Sequence, residues 1–249
     1  MLKRTLRTVL PVSTLQWLRS LRAQRANQRI AKLPPSEAFD IIYRNGWWGD
    51  RERPSGHGSY GVWADAFVDV IVKLVEAHGL RRIVDIGCGD FNIGRRIAPK
   101  VDSYLGLDVS SFIVERNKNR FFNMENVTFE RFNLIERRPP PTDLIIVRQV
   151  LLHLTNQQIE SALVNLETSD AKWIIVAEDV FRGIRNDSPN TDLPHVSVGT
   201  RSNLGSGILL NQPPFKRRVE LITSIPEKDW ADSGPELVLQ RLLSFDDGR

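Results

Sequence analysis

The sequence holds a single cysteine in 249 residues, Cys88, which rules out an internal disulfide framework and points to a reducing, cytoplasmic setting. Four scattered histidines beside that cysteine supply no zinc-ligand spacing, so no metal is expected. No apolar run reaches the roughly 18 to 20 residues that cross a bilayer. Internal repeats and low-complexity tracts are missing too, which excludes solenoid and fibrous architectures. Acidic residues are absent from residues 1–36, where eight basic side chains stand alone; the other 26 basic and 30 acidic residues carry a net charge of −4. The overall +4 therefore belongs to the N-terminal arm and gives no basis for a nucleic-acid groove across the body.

One further absence decides the cofactor. Ile83-Val84-Asp85-Ile86 is a short β-branched run of strand length, Gly87-Cys88-Gly89 turns the chain, and Ile93 to Ala98 resumes with helical spacing. Strand, glycine turn and helix in that order form a cofactor crevice at the carboxyl edge of a parallel sheet. A dinucleotide site wants G-x-G-x-x-G, but Asn92 holds the third glycine position and the next glycine, Gly94, comes two residues late. Asp85 and Asp90 flank the turn, and carboxylates there repel a pyrophosphate and suit a cation. S-adenosylmethionine, with an ammonium, a sulfonium and no phosphate, fits. An ordinary βα turn is the competing reading. Cys88 needs to be small at this turn and reads as packing, not as a nucleophile.

Along the chain, the composition divides at Pro34-Pro35 into a basic amphipathic arm, residues 1–36, and one domain, residues 37–249. The arm mixes leucines and Trp17 with arginines. Four readings stay open for it: a helix on an anionic membrane surface, a helix docked on its own body or a partner, an organelle presequence, and an RNA-binding tail. Residues 37–61, rich in glycine, charge and aromatics, read as an irregular lid in which Trp47 and Trp48 close over a ligand or staple the segment down. His57 is a candidate base there. Val62 to His78 carries a strong apolar stripe and predicts a helix ending at Gly79.

Ser103 to Asp108 predicts the second strand, ending in an acid 19 residues after Gly89. Asp108 suits the two ribose hydroxyls of a nucleoside cofactor, or a helix cap ahead of Ser110. After a third strand, Val127 to Phe132, the pair Asn133-Leu134 could meet an adenine edge through the Asn133 amide oxygen and the Leu134 N–H, with Asn133 as a plain turn residue the alternative. Asp143 to Val147 predicts the fourth strand. Arg148 and Gln149 then run past the carboxyl edge toward His153, which is either a general base or a ring packed against the cofactor loop. Trp173 to Ala177 predicts a fifth strand with Glu178-Asp179 at its edge, and Val219 to Ile225 pairs with Leu237 to Phe245 as a final antiparallel unit.

Taken together, FDIIYRNGWWG, the serine-glycine run from Ser55 to Ser59, DIGCGDFNIGR, GLDVS, DLIIVRQVLLHL and the set Asn190, Asp192, Gly199, Arg201 and Pro213 to Phe215 resemble one group of bacterial class I methyltransferases. The resemblance covers roughly Phe39 to Phe215. It implies a doubly wound α/β sheet of seven strands, mostly parallel with an antiparallel C-terminal strand, and S-adenosylmethionine as donor. Asp85, Gly87, Cys88, Gly89, Asp90, Asp108, Val109, Asn133, Leu134, Arg148 and Gln149 would line the donor. His153 or Asp192 would take the proton, and Trp47, Trp48, His57 and Arg201 would face the acceptor. The nearest similarity is to sugar O-methyltransferases acting on glycolipids or lipo-oligosaccharides, such as the rhizobial enzyme that methylates fucose. That implies a small hydroxylated acceptor, a glycan, at the inner membrane. An RNA or protein N-methyltransferase, or a cofactor-binding module without catalysis, are the other readings.

Overall fold

The computed structural model of the protein describes residues 28–30, 32–181, 189–195, 201–226 and 235–243. Most of the basic arm and the Lys228-Asp229-Trp230 turn lie outside the described residues.

The β-branched runs become strands of one sheet. β1 (Arg82–Ile86) pairs in parallel with β2 (Ser103–Asp108) on one side and with β4 (Thr142–Arg148) on the other. β3 (Val127–Arg131) extends the β2 edge, and β5 (Ala171–Phe181) extends the β4 edge, both in parallel. Beyond β5 lie β7 (Pro235–Leu242) and β6 (Val219–Pro226), each pair antiparallel. The order is β3-β2-β1-β4-β5-β7-β6, so the winding reverses between β1 and β4. That reversal opens the crevice at the carboxyl edge where ligands bind in doubly wound sheets. β4 is buried at every position, as a central strand covered on both faces must be.

Alternation along the strands separates two cores. Ile83, Leu144 and Ile146 join the face covered by α2 (Val62–His78), through Phe67, Ile71 and Val75. Val84, Ile86, Ile145 and Val147 join the opposite face. This second face is covered by α1 (Pro35–Asn45) and by α5 (Asn156–Glu167), which packs through Ile159, Leu163 and Leu166. α2 ends where Gly79 adopts φ 60. α5 starts at Thr155, whose hydroxyl accepts from Gln158 N while the Gln158 side chain accepts from Thr155 N. Between these, α3 (Gly94–Ile97) and α4 (Ser111–Arg120) follow β1 and β2.

One element corrects the expectation of an irregular lid. Pro35–Asn45 is a regular helix, with Pro35 at its first turn, and only the part after Gly46 is irregular. Its apolar side chains, Ala38, Phe39, Ile42 and Tyr43, recur at a helical interval and are all buried. The Asp40 carboxylate locks the helix to α4 by accepting from Phe112 N at 3.1 Å and from the Ser110 hydroxyl.

Candidate active site

The glycine turn after β1 is built by its neighbours. Gly87 N and Cys88 N both donate to the Leu107 carbonyl of β2, at 2.7 and 3.0 Å, which bends the chain sharply off the strand. Gly87 stands at φ 78, and a Cβ there would sit 2.3 Å from Val150 Cγ2. Gly89, at φ 53, donates its N–H to Asp108 Oδ2 at 3.1 Å, and its carbonyl accepts from the buried Asn117 amide at 2.7 Å. Cys88 is buried against this turn, and burial pushes its thiol pKa well up, which suits packing.

The segment after Gly46 lies across the turn. Ser55 Oγ accepts from Asp90 N at 2.7 Å, the Ser59 carbonyl accepts from Asn92 Nδ2 at 2.6 Å, and the Arg148 guanidinium donates to the Gly58 carbonyl. Between the segment and the sheet edge is a cavity of about 250 Å³ whose walls include Trp48, Ser55, Gly58, Asp85, Arg148 and Asp179. A narrower cavity of about 80 Å³ continues past Asp108, Val109, Asn133 and Leu134. The two share Tyr43, Trp48, Gly87, Gln149 and His153 as common wall.

Four buried charges set the electrostatics. Burial pushes the Asp85 carboxyl up to about 6, although the Tyr104 hydroxyl donates to it at 2.8 Å and Arg148 pulls it back down. Asp108 is likewise pushed up to about 6 by burial, against the N–H groups of Ser110 and Gly89. Burial lowers Arg148 to about 10, with Asp179, Asp85 and Glu178 opposing. Glu178, wholly buried, rises to about 8, against the N–H groups of Leu151, Val150 and Leu152 that it accepts. The site is a low-dielectric mixture of both signs, suited to a zwitterion and not to a polyphosphate.

The residues fit an adenosyl amino acid. Arg148 Nε is buried and has no hydrogen-bond partner, in the wall of the larger cavity with Asp85, so a carboxylate and an ammonium each have a counter-charge there. Asp108, in the narrower arm, keeps acceptor capacity beyond its two backbone donors. Leu134, Val109 and Phe132 beside it form an apolar slot of nucleobase character.

Residues 84–169 match a family described as a methyltransferase domain. The matched stretch runs from β1 to the end of α5 and so contains the glycine turn, Asp108 and His153. No curated protein matches the sequence. Solved structures share the class I methyltransferase fold at low identity. The N-methyltransferase NodS from Bradyrhizobium japonicum WM9, in complex with S-adenosyl-L-homocysteine, is 14% identical with a TM-score of 0.57, over 82% of this chain and 98% of its own. The magnesium protoporphyrin IX methyltransferase ChlM from Synechocystis PCC 6803 is 15% identical with a TM-score of 0.53, over 84% of this chain and 98% of its own. The methyltransferase domain of a bacterial Hen1 is 16% identical with a TM-score of 0.51, over 72% of this chain and 97% of its own.

Around this crevice the sequence-predicted residues divide. Asp85, Gly87, Cys88, Gly89, Asp108, Val109, Asn133, Leu134, Arg148, Gln149, His153 and Trp48 line the joined cavities. Trp47 is half-buried against the core behind them. Three residues lie outside both cavity walls. The Asp90 carboxylate accepts from the Tyr60 hydroxyl at 2.6 Å and from Asn92 N, so it braces the turn and does not line either cavity. Asp192 accepts from Asn156 N at 2.7 Å and from Leu193 N, at the start of α5 and outside the cavity walls. Arg201 is fully buried, and donates to the carbonyls of Leu154 and Thr191 instead of facing an acceptor. Asn190 belongs with them: its side chain accepts from Leu209 N and donates to the Leu209 and Pro213 carbonyls, both at 2.9 Å. Asn190, Asp192 and Arg201 thus each bond to backbone groups that hold the late loop in place. Asn133 Oδ1 caps its own turn through Ile135 N at 3.1 Å while still lining the narrower cavity. The His57 side chain and Gly199 lie outside the described residues.

Sequence reasoning missed Tyr43 and Asp179, both in the cavity wall. Tyr43 belongs to the unrecognised helix. The adjacent acids ending an apolar strand, Glu178-Asp179, were the available signal for the second.

Proposed function

We propose that this protein is an S-adenosylmethionine-dependent methyltransferase that acts on a hydroxyl of a sugar, carried by a glycolipid or lipo-oligosaccharide, with the 2-hydroxyl of fucose as one such acceptor. The observation that carries the reading is His153. It is buried in the wall common to both cavities, and its ring stacks on Trp48 at 4.6 Å between centroids, with Phe39 edge-on at 5.8 Å. A base at that junction can take the proton of a hydroxyl as the oxygen attacks. When bound, the donor supplies an electrophilic methyl on sulfur. Trp48 offers an apolar ring, and Asp179 with Gln149 a polar edge, which is the combination a sugar ring uses. Closure by the segment from Trp48 to Ser59 limits water and holds the reactants in line.

An amine acceptor is the second reading, favoured by the carboxylates of Asp85 and Asp179 in the same cavity. Residues 1–36, with eight basic side chains and no acid, support delivery to an anionic membrane surface. No helix among the described residues is long and apolar enough to cross a membrane.

The test is mass spectrometry of glycolipid fractions from cells with and without the gene. A difference of one methylene on a sugar hydroxyl supports the first reading, and a methylated amine supports the second. Deleting residues 1–27, which leaves the buried Ile30 and all of α1 in place, should abolish binding to phosphatidylglycerol vesicles and leave turnover of a soluble acceptor unchanged; vesicle binding that survives the deletion removes the membrane role. Turnover undiminished in His153→Ala, with donor affinity intact, would discard the base.

A further inference from the structure

Three consecutive residues at the end of β5 hold the chain that follows β4. The Ala177 carbonyl accepts from Gln149 N at 2.8 Å. The Glu178 carboxylate accepts from the N–H groups of Val150, Leu151 and Leu152 at 2.9, 2.8 and 3.2 Å. Asp179 Oδ1 accepts from Gln149 Nε2 at 2.8 Å. Side chains alternate along a strand, so Glu178 and Asp179 grip the segment from different faces of the sheet. The other end is held by Arg201, whose guanidinium donates to the Leu154 carbonyl at 2.5 Å and to the Thr191 carbonyl.

The segment needs such support. Gln149 stands at φ 52, in the left-handed region that strains a non-glycine residue and persists only when its surroundings hold it. Leu151–His153 is one turn of 3₁₀ helix, too short to be stable by itself. Gln149 and His153, at its two ends, are wall residues of both cavities. Glu178 is in neither wall, and its carboxylate bonds to the N–H groups of the turn.

We infer that Glu178 and Arg201 are a buried pair of positioning residues that clamp the turn Gln149–Leu154 at its two ends and so place Gln149 and His153 against the donor. The inference rests on the cavities being the donor site and is independent of the acceptor.

The experiment compares the full chain with Glu178→Gln, which sets an amide N–H₂ against backbone donors. Ile71→Val serves as control: Ile71 is fully buried in α2, in the core on the other face of the sheet from Leu151, Leu152 and Leu154, so its truncation lowers stability away from the turn. Affinity for S-adenosylhomocysteine is measured by calorimetry. The His153 ring resonances, displaced by the stacked Trp48, are followed by NMR. Glu178→Gln should weaken binding at least tenfold, move the His153 resonances and speed hydrogen exchange at Val150, Leu151 and Leu152. Ile71→Val should keep affinity within twofold and leave the resonances in place. If Glu178→Gln does not fold, Arg201→Lys is measured by the same readouts with the same expectations. A folded clamp variant with affinity within twofold and His153 unmoved overturns the inference, as does an equal loss in the control. Failure of every sugar acceptor would leave all of these readouts unchanged, so the two ideas fail separately.

Discussion

Replacing Asp108 by asparagine separates the two things this carboxylate does. Each of its oxygens accepts one backbone donor: Gly89 N at 3.1 Å on Oδ2 and Ser110 N at 2.9 Å on Oδ1. An amide can satisfy only one of them and turns its own hydrogens toward the other, which costs about 1 to 3 kcal/mol. Against this, a carboxyl held near pKa 6 instead of 3.8 costs about 3 kcal/mol more to ionise in the fold than in water, and the amide removes that cost at neutral pH. The two effects nearly cancel, so Asp108→Asn should melt within a few degrees of the wild type. Donor affinity has no such compensation. Losing one charge-assisted hydrogen bond to a ribose hydroxyl costs about 1.5 to 3 kcal/mol, or roughly 10- to 150-fold in the dissociation constant. Calorimetry with S-adenosylhomocysteine and a thermal melt measure both quantities on one sample. A well-folded variant that binds within twofold of the wild type would refute the ribose assignment. A variant that unfolds would show that holding the glycine turn is the larger role.

Asp85, Asp108 and Glu178 all have pKa values raised by burial, to about 6, 6 and 8. Their contribution to stability is complete below about pH 4 and is lost as pH rises through those values, because the unfolded chain releases these protons first. The ligand-free enzyme should therefore become easier to unfold in urea between pH 5 and pH 8. Donor affinity should run the other way and fall about tenfold from pH 7 to pH 5, since binding favours the ionised Asp108; parallel trends would remove Asp108 and Asp85 from the binding step. Arg148→Met should weaken S-adenosylhomocysteine by about 10- to 100-fold and leave methylthioadenosine, which has no carboxylate, unaffected. Equal losses for the two ligands would take Arg148 off the carboxylate. Gly87→Ala should cost about 2 kcal/mol or more in a urea titration, because φ 78 is hostile to a side chain and the new Cβ would lie 2.3 Å from Val150 Cγ2. A neutral result would mean that the turn relaxes freely.

Several site residues were legible because their chemistry is local. The glycine turn after Asp85 needs its neighbours in sequence, and Asp108 ends the adjacent strand by register with β1, where Asp85 pairs with Gly106. The helix over Pro35–Asn45 was obscured because its four buried positions lie beside the glycines and tryptophans that follow, and the composition of the whole segment hid the spacing of its first third. Asp192 and Arg201 show a different limit. They occur in a motif that resembles a functional family, yet both spend their polar atoms on backbone groups of a loop remote in sequence. No spacing rule tells a side chain that contacts a ligand from one that caps a chain passing over it.

By itself, the order of apolar runs, glycine turns and strand-ending acids determined that the chain winds a mostly parallel sheet with an acid-flanked turn at its carboxyl edge. These are properties of short segments, and periodicity and backbone freedom act within a few residues. Only the tertiary structure decided which acids face the cavity and which brace it. Burial and partner choice depend on what arrives from far along the chain, as when Trp63 finds the Ile225 carbonyl, 162 residues away, at 2.7 Å. Glu178 and Asp179 are neighbours in sequence with opposite assignments, and it is the pleat of β5, with the turn packed against it, that makes one a clamp and the other a wall.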